Sequence, residues 1–311
     1  MNIDRLKGHQ TTIVVYLVLV LLVVVTSLLS DVFLTYRNFD NILRQAVALG
    51  IVSIGQTFAI LTAGIDLSVG SVISLTSCLT TGMILGREPL VLPVIALVLF
   101  LAILIGFSNG FLITRTGVHP LIVTLGMMSV VQGAVLVYTK APYGSIPSSF
   151  GYVAWGKVGF IPFPVFILAA VAVAGLIVLR QTTFGRYVYA TGGNEEIARL
   201  SGINTHRIKV LTYIICSFTA ALTGLFLASR MGMGDPLAGE RFMLDSIVPV
   251  LIGGTSLTGG KGGLTGTIAG IFILTILSNA LNLLDVSSYW QWIVQGGIII
   301  VAVAFYWKGK T

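Results

Sequence analysis

Four stretches of this chain, Thr12 to Leu29, Val91 to Thr114, Val210 to Ala228 and Tyr289 to Trp307, are predominantly apolar over close to the ~20 residues that cross a bilayer core. Runs of that length commit the backbone to helices, which satisfy their own N–H and C=O groups where water is absent. Composition agrees, with 56% of the 311 residues hydrophobic and 9% charged, against roughly a quarter charged in a soluble domain. The chain reads as all-α, a polytopic integral membrane protein forming a single transmembrane domain over residues 1–311 and embedded in the lipid bilayer.

The first run follows Arg5 and Lys7, as a signal peptide's would, but its core exceeds the roughly 7–15 apolar residues of such a segment, so it is read as a retained span. Cys78 and Cys216 fall inside apolar segments without the partners that a disulfide framework or a zinc site needs, and read as small core residues. The net charge of +7 comes from Lys and Arg spread singly. Nucleic-acid binding, which clusters basic residues with aromatics, is not indicated.

Dividing the chain at charges and Gly/Pro clusters gives about ten spans, near 12–30, 42–63, 66–86, 90–114, 119–138, 163–180, 210–229, 242–258, 263–283 and 288–307. An even number places both termini on one side. With that side cytoplasmic, Arg37, Arg44, Arg87, Lys140, Lys157, Arg230 and Arg241 face out, which leaves 11 of the 18 basic residues facing in, the sense of the positive-inside rule. Trp290, Trp292, Tyr306 and Trp307 lie near the ends of the last span, as interfacial aromatics do. The longest connections are Thr139 to Pro162, placed outside, and Gln181 to Lys209, placed inside.

A single helix from Arg44 to Leu85 would run about 63 Å, twice the ~30 Å hydrocarbon core, so the chain must break within it. The polar punctuation is "AGIDLSVGS", Ala63 to Ser71. A second Gly/Ser/Thr-rich break, "GGTSLTGGKGGLTG", runs from Gly253 to Gly266. Their comparable places in the two halves hint at a duplicated transporter architecture.

Between the sixth and seventh spans lies "TGGNEEIARLSGIN", Thr191 to Asn204, unusually charged for this chain. Asn194 is a suitable N-cap for a helix from Glu195, the two glutamates lie where the helix dipole favours negative charge, and Gly202 fits C′. A helix of about two turns is unstable alone in water and needs packing against its own domain or a partner. Ile197, Ala198, Leu200 and Ile203 supply an apolar surface, while Glu195, Glu196 and Arg199 supply charge. Docking and a plain solvated connection are both open on these residues alone.

The insert, with "HRIKVLTYIICSF" at His206 to Phe218, resembles the cytoplasmic coupling segment of ribose-type sugar permeases of bacterial ABC importers. "GIDLSVGS" at Gly64 to Ser71 and "GGTSLTGGKGGLTGT" at Gly253 to Thr267 resemble that family's other hallmarks. The resemblance implies a type II ABC importer-like permease with cytoplasmic termini in the bacterial inner membrane. It implies a partner set as well: a second permease chain (a homodimer), a cytoplasmic ABC ATPase subunit and an extracytoplasmic sugar-binding protein. The coupling segment 181–209 would present Gly193, Asn194, Glu195, Glu196, Arg199, Leu200 and Ser201 to the ATPase. No cofactor is expected on this chain; ATP and Mg belong to the partner. Its own nearest approach to a Walker A motif, "GTSLTGGKGG", fails twice: Gly262 follows Lys261 where a Ser or Thr is needed, and Thr255 stands five before Gly260 where a Gly is needed.

The two breaks supply candidates for the translocation path: Gly64, Asp66, Ser68, Gly254, Thr255 and Ser256, joined by Asn109 from the fourth span. Asp66 is the sharpest acid in the membrane region and so a functional candidate, but the obligatory break favours a structural role, capping a helix that starts near Leu67 at the cytoplasmic lip. Gln56, Gln132, Asn279, Asn282 and Gln295 can line a hydrophilic route or hydrogen-bond between helices. No charged pocket is expected, which suits a neutral sugar. Arg230, Asp235, Glu240 and Arg241, in an outer loop, are candidates for docking the binding protein.

Two rival functions have sequence support. A proton- or ion-coupled secondary transporter would use Asp66 or Asp285 as a relay. An intramembrane serine hydrolase would use "GFSNG", Gly106 to Gly110, but its Ser108 lacks a suitably placed base among His9, His119 and His206, so Gly106, Ser108 and Gly110 read as small packing residues.

Overall fold

The computed structural model describes residues 3–287, 289–291, 293, 296 and 297, with side chains from residue 13 onward. Its long helices are α1 (Ile3–Leu29), α2 (Tyr36–Leu61), α3 (Val69–Ile84), α4 (Val91–Thr116), α5 (Pro120–Tyr138), α7 (Phe163–Gln181), α10 (Thr205–Met231) and α13 (Leu264–Leu283). Between them lie the shorter α6 (Ser148–Trp155), α8 (Thr183–Gly193), α9 (Glu195–Leu200), α11 (Phe242–Asp245) and α12 (Val248–Ile252). A hairpin of two-residue strands, β1 (Lys157–Val158) and β2 (Ile161–Pro162), and one antiparallel bridge between Tyr143 and Gly234 are the departures from all-α among the described residues. Six of these helical stretches are long and apolar enough to cross a membrane, and Ile13–Leu29, Val69–Ile84 and Phe242–Ile252 are shorter apolar helices.

The bundle is built around α10, which packs along α4, α2 and α3. Glycine makes that close approach possible. A Cβ on Gly106 would lie 2.6 Å from the Tyr213 carbonyl oxygen, and one on Gly110 would lie 2.5 Å from Val210 Cα. Across the other faces of α10, a Cβ on Gly55 would meet Thr219 Oγ1 at 1.8 Å and one on Gly224 would meet Ile73 O at 2.7 Å. Small residues let helix backbones touch where hydrophobic expulsion offers no drive. The glycines of "GFSNG" therefore pack as expected, and Ser108, half-buried, donates to Leu104 O on its own helix at 2.8 Å. α2 lies mostly inside the bundle, and α4, α5 and α7 turn most of their apolar surface outward, as lipid-facing helices do.

The predicted break between Arg44 and Leu85 is present: α2 ends at Leu61 and α3 begins at Val69. The continuous eighth span expected over 242–258 is not. From Gly234, beside Cys78 and Thr81, the chain runs along α3 in successive turns to Gly239, beside Gly70 and Ile73. It then forms α11 and α12, joined through Ser246 and Ile247 into one short apolar stretch, Phe242–Ile252, which Gly253–Gly254, with Gly254 at φ 81°, ends. Non-helical backbone is tolerable at such depth only when protein supplies its partners. Here Gly239 N donates to Ser74 Oγ at 3.0 Å, and Gly234 exchanges backbone bonds with Tyr143.

The tenth expected span, 288–307, with Trp292, Gln295, Tyr306 and Trp307, lies outside the described residues apart from a few positions, Trp290 among them. The side chains of Arg5, Lys7, Lys308 and Lys310, used in the orientation argument, also lie outside them. Cys78 and Cys216 are both buried and unpaired, as small core residues should be.

Candidate functional site

Three features converge at one end of the bundle. The first is the α8–α9 corner. Asn194 Oδ1 accepts from Ile197 N at 3.0 Å, so the expected N-cap forms. The helix closes with Gly202 at φ 83°, Gly202 N donating to Arg199 O at 3.0 Å and Ile203 N to Ala198 O at 3.1 Å. That paired closure is the Schellman arrangement, which needs a left-handed residue and so glycine at this point. Ala198 packs inward and Glu195 forms an ion pair with Lys209 of α10, which ties α9 to the bundle. Glu196 and Arg199 stay exposed, and Ile197 and Leu200 are 61% and 80% exposed. The result is a rigidly capped two-turn helix presenting two bare aliphatic side chains framed by opposite charges.

The second feature is the joint beneath that helix. A Cβ on Gly192 would lie 1.8 Å from Leu61 O, the last carbonyl of α2, and 2.7 Å from Gly260 N. Gly260 N itself donates to Leu61 O at 3.0 Å. Thus the end of α2, the end of α8 and the glycine turn of the second break meet backbone to backbone. Tyr189 of α8 adds a side-chain link, its hydroxyl donating to Gly262 O at 2.9 Å, and burial pushes this phenol's pKa upward, which keeps it a donor.

The third feature surrounds Asp66, which is fully buried rather than at a solvent-facing lip. Its Oδ1 accepts from Ser68 N at 2.9 Å and Ser68 Oγ at 2.6 Å, and Asn109 Nδ2 lies 3.4 Å away. Asn109 Nδ2 also donates to Ser68 Oγ at 2.9 Å. The carboxylate therefore closes the break before α3, which begins two residues later than the expected start near Leu67. Around it Asp66 Oδ2, Asn109 Oδ1, Tyr213 Oη and Ser217 Oγ are buried without a hydrogen-bond partner. Of the predicted path residues, the structure brings Asp66, Ser68 and Asn109 together. Gly64 lies against Tyr213, whose hydroxyl would be 2.3 Å from an added Cβ. Gly254, Thr255 and Ser256 belong to the glycine turn, where Thr255 Oγ1 accepts from Gly263 N at 3.1 Å.

The remaining polar residues within the spans mostly join helices. Asn38 and Asn279 bond each other, Gln132 donates to Pro236 O at 3.0 Å, and Gln291 donates to Asn282 Oδ1 at 2.7 Å.

At the opposite end, sequence reasoning expected no charged pocket, and the structure corrects it. Arg230 and Arg241, which the sequence placed in an outer loop, line one cavity of about 280 Å³ together with Asp245, Gln45 and Asn282. The turns after Gly234 carry Arg241 down beside the last turn of α10, a convergence with no local sequence signal. Glu240 stays exposed, and Asp235 accepts from Leu237 N at 2.8 Å to shape its turn. Above the cavity Arg44 pairs with Asp40 at 2.8 Å, donates to Ala154 O and lies 5.4 Å from the Trp155 ring centroid. Lys157 completes this lattice 3.2 Å from Asp40, whose hydrogen bond raises the ammonium pKa above the ordinary lysine range.

A helical membrane bundle with broken crossings, a polar interior and a projecting capped helix defines a transport permease. Residues 38–303 match the family described as "Branched-chain amino acid transport system / permease component". The ribose import permease protein of Haemophilus influenzae is 40% identical over 293 residues, covering 93% of this chain and 90% of that protein. Its Bacillus subtilis counterpart is 42% identical over the same shares, and the D-allose transport system permease protein of Escherichia coli is 36% identical over 93% and 89%. No solved structure matches significantly. The chain belongs to this permease family, on its ribose-type branch, and is a multi-pass inner-membrane protein.

Proposed function

We propose that this chain is the membrane subunit of an ATP-driven importer and translocates a monosaccharide of the ribose type. In this reading α9 faces the cytoplasm and docks on a separate ABC ATPase subunit, which binds ATP and Mg. Two permease chains, most simply identical, share the path, and an extracytoplasmic binding protein delivers the sugar. Both termini are then cytoplasmic. The observation that carries the reading is α9 itself: exposed Ile197 and Leu200 between Glu196 and Arg199, on a helix capped at both ends. A solvated connector has no need of two bare aliphatic side chains held so firmly. The named sugars of the relatives, ribose and allose, supply the substrate class.

The test is uptake in proteoliposomes holding the permease, its ATPase and its binding protein. The wild type should import sugar in an ATP-dependent manner, and Glu196→Arg should fold normally yet lose both ATPase retention and uptake. Normal uptake with normal ATPase stimulation in the variant would sink the docking assignment. Uptake driven by an ion gradient without ATP would replace the importer with a secondary transporter.

A further inference from the structure

The cavity at the end remote from α9 is left unexplained by docking and by helix packing. It collects side chains from in and beside α2, α10, α11 and α13, and its lining is more polar than apolar, with Gln45, Arg230, Arg241, Asp245, Thr275 and Asn282 among its polar groups. Charged groups in a membrane region are costly and accordingly mark function. The local charges do not balance. Asp40 is matched by Arg44 and Lys157, and Asp245 by Arg241 at 3.4 Å. Arg230, close enough to feel the charges of Arg44 and Arg241, has no carboxylate partner and no side-chain hydrogen bond among the described residues. Its backbone is nevertheless pinned, since Trp155 Nε1 donates to Arg230 O at 3.2 Å and the preceding Ser229 Oγ donates to Phe150 O at 2.7 Å.

We propose that this cavity is a polyol-binding subsite in which Arg230 and its neighbours hold a small sugar on its way through the permease. The proposal rests on the importer reading and deepens it. The lining chooses between ligand chemistries. An anion accepts only, so a site built for one presents donors. A sugar hydroxyl both donates and accepts, and this cavity offers both: guanidinium donors from Arg230 and Arg241, and acceptor oxygens from Asp245 and Gln45, whose Nε2 is already engaged with Asn41 Oδ1 at 3.2 Å. The volume of about 280 Å³ lies near the lower edge of the roughly 300–1,000 Å³ typical of small-molecule sites, a scale suited to one monosaccharide. A fork-shaped guanidinium can bridge two adjacent hydroxyl oxygens, which an ammonium cannot do.

The experiment measures binding of radiolabelled D-ribose, D-xylose and D-allose to the permease alone in nanodiscs, without ATPase or binding protein. At least one sugar should bind saturably. Arg230→Gln should weaken it at least about tenfold, Gln45→Leu should weaken it less, and Ser108→Ala, on the outer face of α4, should leave it unchanged. Should Arg230→Gln fail to elute as folded protein, Arg230→Lys carries the test, because it keeps the charge while losing the fork and should weaken binding severalfold. No saturable binding of any of the three, in a preparation that imports one of them once its partners are added, overturns the subsite and leaves the importer intact. Full binding in a folded Arg230 variant overturns it too. Displacement of sugar by micromolar inorganic phosphate would make the cavity an anion site instead. Failure of the wild type to import at all, tested in the same preparation, strikes the importer reading separately.

Discussion

The two breaks in the bundle differ in what shapes them. Between α2 and α3 the chain turns in seven residues, 62–68, and side chains hold it: Thr62 Oγ1 donates to Ala59 O at 2.9 Å and Asp66 gathers both donors of Ser68. Only Ala63, at φ 59°, is left-handed there. The second break, 253–263, takes its shape from glycine backbone, with Thr255 Oγ1 and Tyr189 Oη adding side-chain bonds to it. Gly254, Gly259, Gly260, Gly262 and Gly263 all have positive φ, a region that glycine enters without steric cost. The first break depends on the acceptor oxygen at position 66, and the second on backbone that glycine alone enters without cost. Gly192 lies against Leu61, the residue before the first break, and against Gly260 of the second, so the α8–α9 corner sits where the two breaks meet.

The largest effect should come where the two breaks touch. Gly192→Ala places a methyl 1.8 Å from Leu61 O, a carbonyl fixed at the end of α2. Because backbone cannot swing aside as a side chain can, the cost should reach or exceed the ~3 kcal/mol at the top of the usual overpacking range. Detergent-solubilised protein should show a melting temperature lowered by roughly 6–12 °C. A shift under about 2 °C would mean that the three backbones do not meet as described.

Next comes Asp66. Truncation by Asp66→Ala strands the Ser68 and Asn109 donors in a buried site, at about 1–3 kcal/mol for each unmatched group. Asp66→Asn should recover most of this, because its oxygen can keep the Ser68 bonds while its amide nitrogen takes the place of Oδ2 among the unpaired Asn109, Tyr213 and Ser217 oxygens. Uptake by Asp66→Asn should therefore be near normal and unresponsive to a pH gradient. Lost uptake in a stably folded Asp66→Asn protein would revive the proton-relay reading.

This contrast also explains what could be read in advance. The first break was legible because helix length demanded it and an acid marked it. The cap at Asn194 and the stop at Gly202 were legible because both act within a few residues. The eighth span comes out shorter than 242–258, ending at Ile252, because hydropathy counts apolar residues without regard to backbone and Gly253–Gly254 end the helical stretch. The cavity was invisible for a different reason: Arg230 and Arg241 stand eleven positions apart and meet only because the intervening turns fold back beside α3.

A smaller effect belongs to the projecting helix. Asn194→Ala removes the side-chain acceptor for Ile197 N and should cost about 1 kcal/mol locally. The bundle beneath is untouched, so the melting temperature should hardly move, while affinity for the ATPase should fall severalfold in a pull-down titration. Unchanged affinity would show that the partner, not the cap, orders α9.

The smallest expected effect on folding is the most useful control. Gly193 follows Gly192 directly, yet a Cβ on it would meet nothing within 4 Å, and its φ is not in the left-handed region. Gly193→Ala should leave the melting temperature within about 2 °C of the parent, since an unhindered Gly→Ala change near a helix end shifts stability by less than about 1 kcal/mol. Adjacent glycines are thus predicted to behave oppositely: one is locked between two breaks, and the other is open toward any docked partner. If Gly193→Ala proves as damaging to the isolated permease as Gly192→Ala, the corner is a uniformly tight turn and the distinction between joint and docking surface fails. If it folds normally but weakens ATPase stimulation, the loss reads the interface alone, because the structure gives that methyl no other neighbour to disturb.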